Sequence, residues 1–127
     1  MNEQAIKERL LAMIGEPYEP PDGCLRFVRK ALLEIGVKIE GSREAIRRDA
    51  RLFRPIEHGD FGTVVIFRSF DGLGPFAFHV GLMLDRRWCM QSSESTNGVA
   101  RIEITRFPWA NAIRGFYGPR ILDAKCF

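Results

Sequence analysis

What the sequence has little of removes several classes of function. It holds three cysteines in 127 residues. That odd count, at spacings that match no zinc pattern, argues against both a disulfide framework and a structural metal site. It holds two histidines, His58 and His79, so any imidazole chemistry falls to one of them. Its charge is nearly balanced, with 19 basic and 16 acidic residues and a net charge of +3. No basic run reads as a nucleic-acid arm. The densest basic cluster, Arg43, Arg47, Arg48, Arg51 and Arg54, has helix-like spacing and reads as a solvated face. No apolar run approaches membrane-spanning length. The opening stretch MNEQAIKERLLAMIG carries charges throughout and lacks the apolar segment of a signal peptide. The chain therefore reads as cytoplasmic as encoded, or as phage-associated or released by a route not written in it. There is no repeat and no low-complexity tract, and nothing sets an oligomeric state.

What is present is a globular composition, 46% hydrophobic and 28% charged. Residues 1–127 read as a single domain, of a size that buries roughly two thirds of its unfolded surface. Ile6, Leu10, Met13 and Ile14 recur at helical spacing and predict a helix from about Glu3 to Ile14. Gly15 and Pro17 stop it. After the stiff loop GEPYEPPDG, the stripe Cys24, Val28, Ala31, Leu32 and Ile35 predicts a second helix. Asp22 and Gly23 lie at its start and Gly36 at its end. A third helix, SREAIRRDARLF, opens at Ser42 as a plausible cap. The pattern then turns β-branched and aromatic. TVVIFRSF, FAFHVGLML, RWCMQSS, VARIEIT and AIRGFYGP read as five strands, with the Gly-rich loop DGLGP between the first two. Helices followed by antiparallel strands indicate an α+β layer fold, with the helices on one face of the sheet.

Two segments carry the side chains of a thiol site. Cys24 stands at a helix start, where the positive end of the helix and a nearby imidazolium would stabilise a thiolate. His79 lies inside a strand, on the face opposite Phe78, Val80 and Leu82, together with Gly81 and Met83. Gly81 leaves room for a close approach, and the helix that begins at Cys24 is one element that would fill it. On the next strand Cys89, Gln91 and Ser93 share a face. A short hairpin about Asp85 brings Gln91 nearly opposite His79, about 4.5–5.5 Å away; a one-residue slip presents Ser92 instead. The imidazole would act as base and then acid, and an amide would orient it without adding charge. Glu94 or Asn97 takes that place in another register. The plainer reading of Cys24 is a small buried hydrophobe. Cys89 reads as packing, Cys126 as without a role and His58 as a loop cap. Trp88 and Trp109 line a groove or fill the core.

The order Cys24-Leu25-Arg26-Phe27-Val28, then Gly59-Asp60 before Val64-Val65-Ile66-Phe67, then His79-Val80-Gly81, resembles the NlpC-type cell-wall cysteine peptidases and the CHAP amidohydrolases. Tyr18 in the loop before the cysteine and Gln91, twelve positions after the histidine, fit the same pattern. The closing IRGFYGP is similar to that of phage-tail members. The resemblance covers about Glu16 to Tyr117. It implies a papain-like fold and hydrolysis of an amide bond in peptidoglycan stem peptides by Cys24, His79 and Gln91, without metal or cofactor. Tyr18 would serve the oxyanion. The family's Asp-Cys-Ser-Gly is replaced here by Gly23-Cys24-Leu25-Arg26, so Arg26 would narrow the groove or bind a substrate carboxylate. A non-catalytic binding or tail-assembly module, and an acyltransferase with the same side chains, are the rival readings.

Overall fold

The computed structural model describes residues 2–39, 44–68 and 78–124. Cys126, the Ser42 cap and the DGLGP loop lie outside the described residues. The first helix, α1, spans Glu3–Leu11, and Asn2 caps it by accepting from the Ala5 N–H at 3.2 Å. The second helix, α2, spans Gly23–Ile35 and buries Cys24, Leu25, Phe27, Val28, Ala31, Leu32 and Ile35. Gly36 ends it in the left-handed region, at φ 93°. The Val37 N–H reaches back to the Leu32 carbonyl at 2.9 Å, which closes the last turn.

The third helix differs from the sequence expectation. α3 covers only Glu44–Arg48, and the chain is already extended at Phe53. The Asp49 side chain accepts from the Arg51 N–H at 3.1 Å and from its guanidinium. A local Asx turn of this kind competes with helix continuation, and Pro55 bars it further on. Arg43 lies outside the described residues, and the other four residues of the basic cluster are not one helical face. Arg47 stacks over the Phe78 ring at 4.6 Å, Arg51 pairs with Asp49 in the turn, and Arg54 lies on a strand.

That strand is β1 (Phe53–Ile56). It joins β2 (Val64–Arg68), β3 (Phe78–Met83), β4 (Trp88–Ser93), β5 (Gly98–Glu103) and β6 (Ile113–Pro119). The six form one sheet in the order β1-β6-β2-β3-β4-β5, every neighbouring pair antiparallel. The α+β architecture is as the sequence predicts. The additional strand is β1, whose edge position tolerates Pro55.

The sheet's two faces carry two separate cores. On one, Val64, Ile66, Val80, Leu82 and Met90 pack with α1 and α2. On the other, Val65, Phe67, Met83, Cys89 and Ile102 pack with Trp109 and Ala112 from the segment between β5 and β6. Strand alternation places His79, Gly81, Gln91 and Ser93 toward this second face. α2 lies across β3 and β4. Gly81 does not make room for that helix, as the sequence suggested. A Cβ there would stand 2.5 Å from the Cys89 sulfur, on the opposite face from the helices.

Candidate active site

α2 begins one residue earlier than its apolar stripe. Gly23 opens the helix and Cys24 follows within the first turn, 1% exposed. Asp22 holds the N-cap position in the left-handed region, at φ 58°, and its side chain makes no capping bond. Its carbonyl accepts from the Arg26 N–H at 2.9 Å. Tyr18, half-buried, lays its ring against Gly23; a Cβ at residue 23 would come within 2.6 Å of two ring carbons. The glycine before the thiol is thus the space that the Tyr18 ring occupies. Arg26 is exposed, and its Nε donates to the Pro21 carbonyl at 2.9 Å, bracing the loop. A shallow cavity beside it is lined by Glu16, Glu19, Phe27, Lys30 and Ser92.

His79 is 1% exposed and Gln91 fully buried. His79 Nε2 lies 2.8 Å from Gln91 Oε1. The two are not directly opposed. β3 and β4 pair through Leu82↔Met90 and Met83↔Cys89, and that register carries Gly81, not His79, to the place across from Gln91. A Cβ at Gly81 would stand 3.3 Å from the Gln91 Cβ. The Gln91 side chain therefore runs past a residue with no side chain to reach the imidazole. Among the described residues no further β3–β4 pairs are made toward Phe78 and Ser93, so the strands part at the His79 end. Glu94 and Asn97 sit exposed in the turn after β4.

The far side of Gln91 is also held. Its Nε2 donates to Thr96 Oγ1 at 3.0 Å, and Thr96 Oγ1 lies 2.8 Å from Ser93 Oγ. Around the imidazole, Phe67 and Trp109 complete a ring cluster. The His79 centroid lies 5.8 Å from Phe67 and 5.6 Å from Trp109, and the two aromatics meet edge-on at 5.3 Å. Thr96 was not singled out in the sequence, Ser93 was placed only on the Gln91 face, and Trp109 was read only as a groove or core residue. Only a turn-rich SSESTNG run and a tryptophan beside a proline marked them.

These features can be set beside known proteins. A solved structure from Staphylococcus aureus subsp. aureus Mu50, described as similar to lipoprotein and of the NLP/P60 family, superposes on 91% of this chain with a TM-score of 0.69 at 15% identity. The chain has the fold of an NLP/P60 protein. It spans 40% of that neighbour's length. No family model matches the sequence, and no curated protein matches it.

Within this NLP/P60-like fold the remaining candidates take ordinary places. Burial pushes the Cys89 thiol far above the usual range, and its sulfur donates to the Met90 carbonyl at 3.4 Å. A thiol kept protonated in this way is inert. His58 is exposed in the loop after β1. Trp88 lies beneath Arg101, 4.2 Å from its ring centroid. Among the described residues no three His, Cys, Asp or Glu side chains are grouped to hold a metal ion. No helix among them is long and apolar enough to cross a membrane.

Proposed function

We propose that this chain is a cysteine peptidase or amidase that cleaves an amide bond in peptidoglycan stem peptides. The observation that carries the reading is the buried 2.8 Å contact between His79 and Gln91, on strands against which the helix bearing Cys24 packs. Three further features support it: the position of Cys24 at the positive end of a 13-residue helix, the parting of β3 and β4 beside His79, and the likeness to an NLP/P60 structure.

His79 takes the Cys24 proton, and the sulfur attacks the carbonyl carbon. The oxyanion forms against the Cys24 backbone N–H and the Tyr18 hydroxyl. The C–N bond breaks as His79 returns the proton to the leaving amine. Water, deprotonated by the same imidazole, then splits the thioester and restores the thiol. Gln91 holds the ring in place throughout. Arg26, two residues after the thiol and exposed, meets a carboxylate of the stem peptide. With purified muropeptides, Cys24→Ser and His79→Ala each lower turnover by about 10³-fold or more while circular dichroism stays native. Full activity of Cys24→Ser overturns the reading. Transfer to an added amine in place of hydrolysis would mark an acyltransferase.

The 1% exposure of both Cys24 and His79 favours a second reading, a binding or assembly module in which the polar network is structural. Muropeptide binding without turnover, unchanged in Cys24→Ser, would select it.

A further inference from the structure

We infer that Thr96 is a positioning residue that sets which nitrogen of His79 carries the proton, acting through Gln91. The inference rests on the proposed hydrolase reading for its catalytic consequence, but its structural content stands on the hydrogen bonds alone.

A threonine hydroxyl has one proton to give. Thr96 Oγ1 lies 2.7 Å from the Gly98 carbonyl and 3.4 Å from the Ser93 carbonyl. Carbonyl oxygens only accept, so the Thr96 proton is committed to Gly98. Towards every other neighbour Thr96 Oγ1 is an acceptor. Ser93 Oγ, 2.8 Å away, must then donate to it. The Gln91 atom 3.0 Å away must donate too, and it is therefore the amide nitrogen. Reversing the amide would set two acceptor oxygens face to face.

With its nitrogen on Thr96, Gln91 presents its oxygen to His79 at 2.8 Å. That oxygen cannot donate, so His79 Nε2 carries the hydrogen. The neutral ring then has its lone pair on Nδ1, and Nδ1 is the atom that takes the Cys24 proton. If the Gln91 amide turned over, its NH2 would face Nε2 and favour the other tautomer, which has no lone pair on Nδ1 for the thiol.

The turn is built to hold Thr96 in this role. Asn97 and Gly98 adopt φ 54° and 117°, which directs the Gly98 carbonyl back at the Thr96 hydroxyl. Gly98 is clamped from outside, where a Cβ would collide with the Glu16 carbonyl. The Thr96 N–H adds a bond to Ser93 Oγ at 3.3 Å.

The test is ¹⁵N NMR of the histidine rings in the intact protein above its imidazole titration, together with kinetics on muropeptides. Wild type is expected to hold His79 as the Nε2–H form. Thr96→Val should convert it to a mixture, lower kcat about tenfold with KM unchanged, and Thr96→Ser should restore both. An Nδ1–H ring in wild type overturns the inference, and that result needs no variant to fold. A Thr96→Val protein whose kcat falls while its tautomer stays put also overturns it, since Thr96 would then be merely structural. The NMR arm separates this inference from the hydrolase reading. A wild-type protein that cleaves nothing, yet shows the Nε2–H ring and its loss in Thr96→Val, supports the positioning role while the hydrolase reading fails.

Discussion

The two faces of the sheet are closed in different ways. The helix face is sealed by whole elements: α2 lays its apolar stripe across β3 and β4, and α1 packs against α2. The other face is covered by a loop segment around Trp109 and Ala112, and into it the strands send His79, Gln91 and Ser93, all buried. Burying polar groups is costly unless each is hydrogen-bonded. Here the string from His79 Nε2 through Gln91 to Thr96 and Ser93 meets that cost for the atoms it joins. One face packs an apolar core against the helices, and the other holds the buried polar string. Cys24 belongs to the helix core but stands at the helix end.

Breaking the helix face should have the largest effect on folding. Leu32 is fully buried in α2, and Leu32→Ala is expected to cost about 2–5 kcal/mol in urea unfolding. The two buried thiols sharpen the contrast next. At neutral pH, iodoacetamide should label Cys24 about 100-fold faster than Cys89, whose thiol is held protonated by burial. Mass spectrometry of the labelled peptides reads this directly, and equal slow labelling removes the distinction between the faces. A smaller effect is expected for Gly81→Ala. The new methyl would meet the Cys89 sulfur and crowd Gln91, costing about 1–3 kcal/mol and displacing the His79 ring signals. Gly81→Ala with Cys89→Ala should recover part of that loss.

The smallest effect belongs to the rim. The Arg87 guanidinium, at 2.7 Å, holds the Glu103 carboxyl below its usual range. Its folded-state pKa is depressed, so its contribution is present above the ordinary carboxylate range and is lost as pH falls through the folded value. Glu103→Gln should leave the melting temperature nearly unchanged at neutral pH and slightly flatten its fall in acid.

Much of this was legible in the sequence where periodicity had a packing cause. The α2 stripe and the alternation in β3 and β4 are direct imprints of burial, and they put His79 and Gln91 on one face. β1 was not legible, because Arg47, Arg48 and Arg51 continue a helical spacing that the Asp49 turn interrupts. Gly81 stood out as unusual, but which neighbour it admits depends on the strand register. Thr96 left no chemical signature at all. Its role arises from the direction of one carbonyl, set by two left-handed residues in a turn.

The strap between the first loop and β5 has a consequence for the whole site. The Gly15 N–H donates to the Val99 carbonyl at 3.0 Å, and the Val99 N–H to the Glu16 carbonyl at 2.8 Å. The segment that lays Tyr18 against Gly23 is thereby riveted to β5, directly after the turn that carries Thr96. An insertion of even one residue on either side of that rivet would throw both halves out of alignment together.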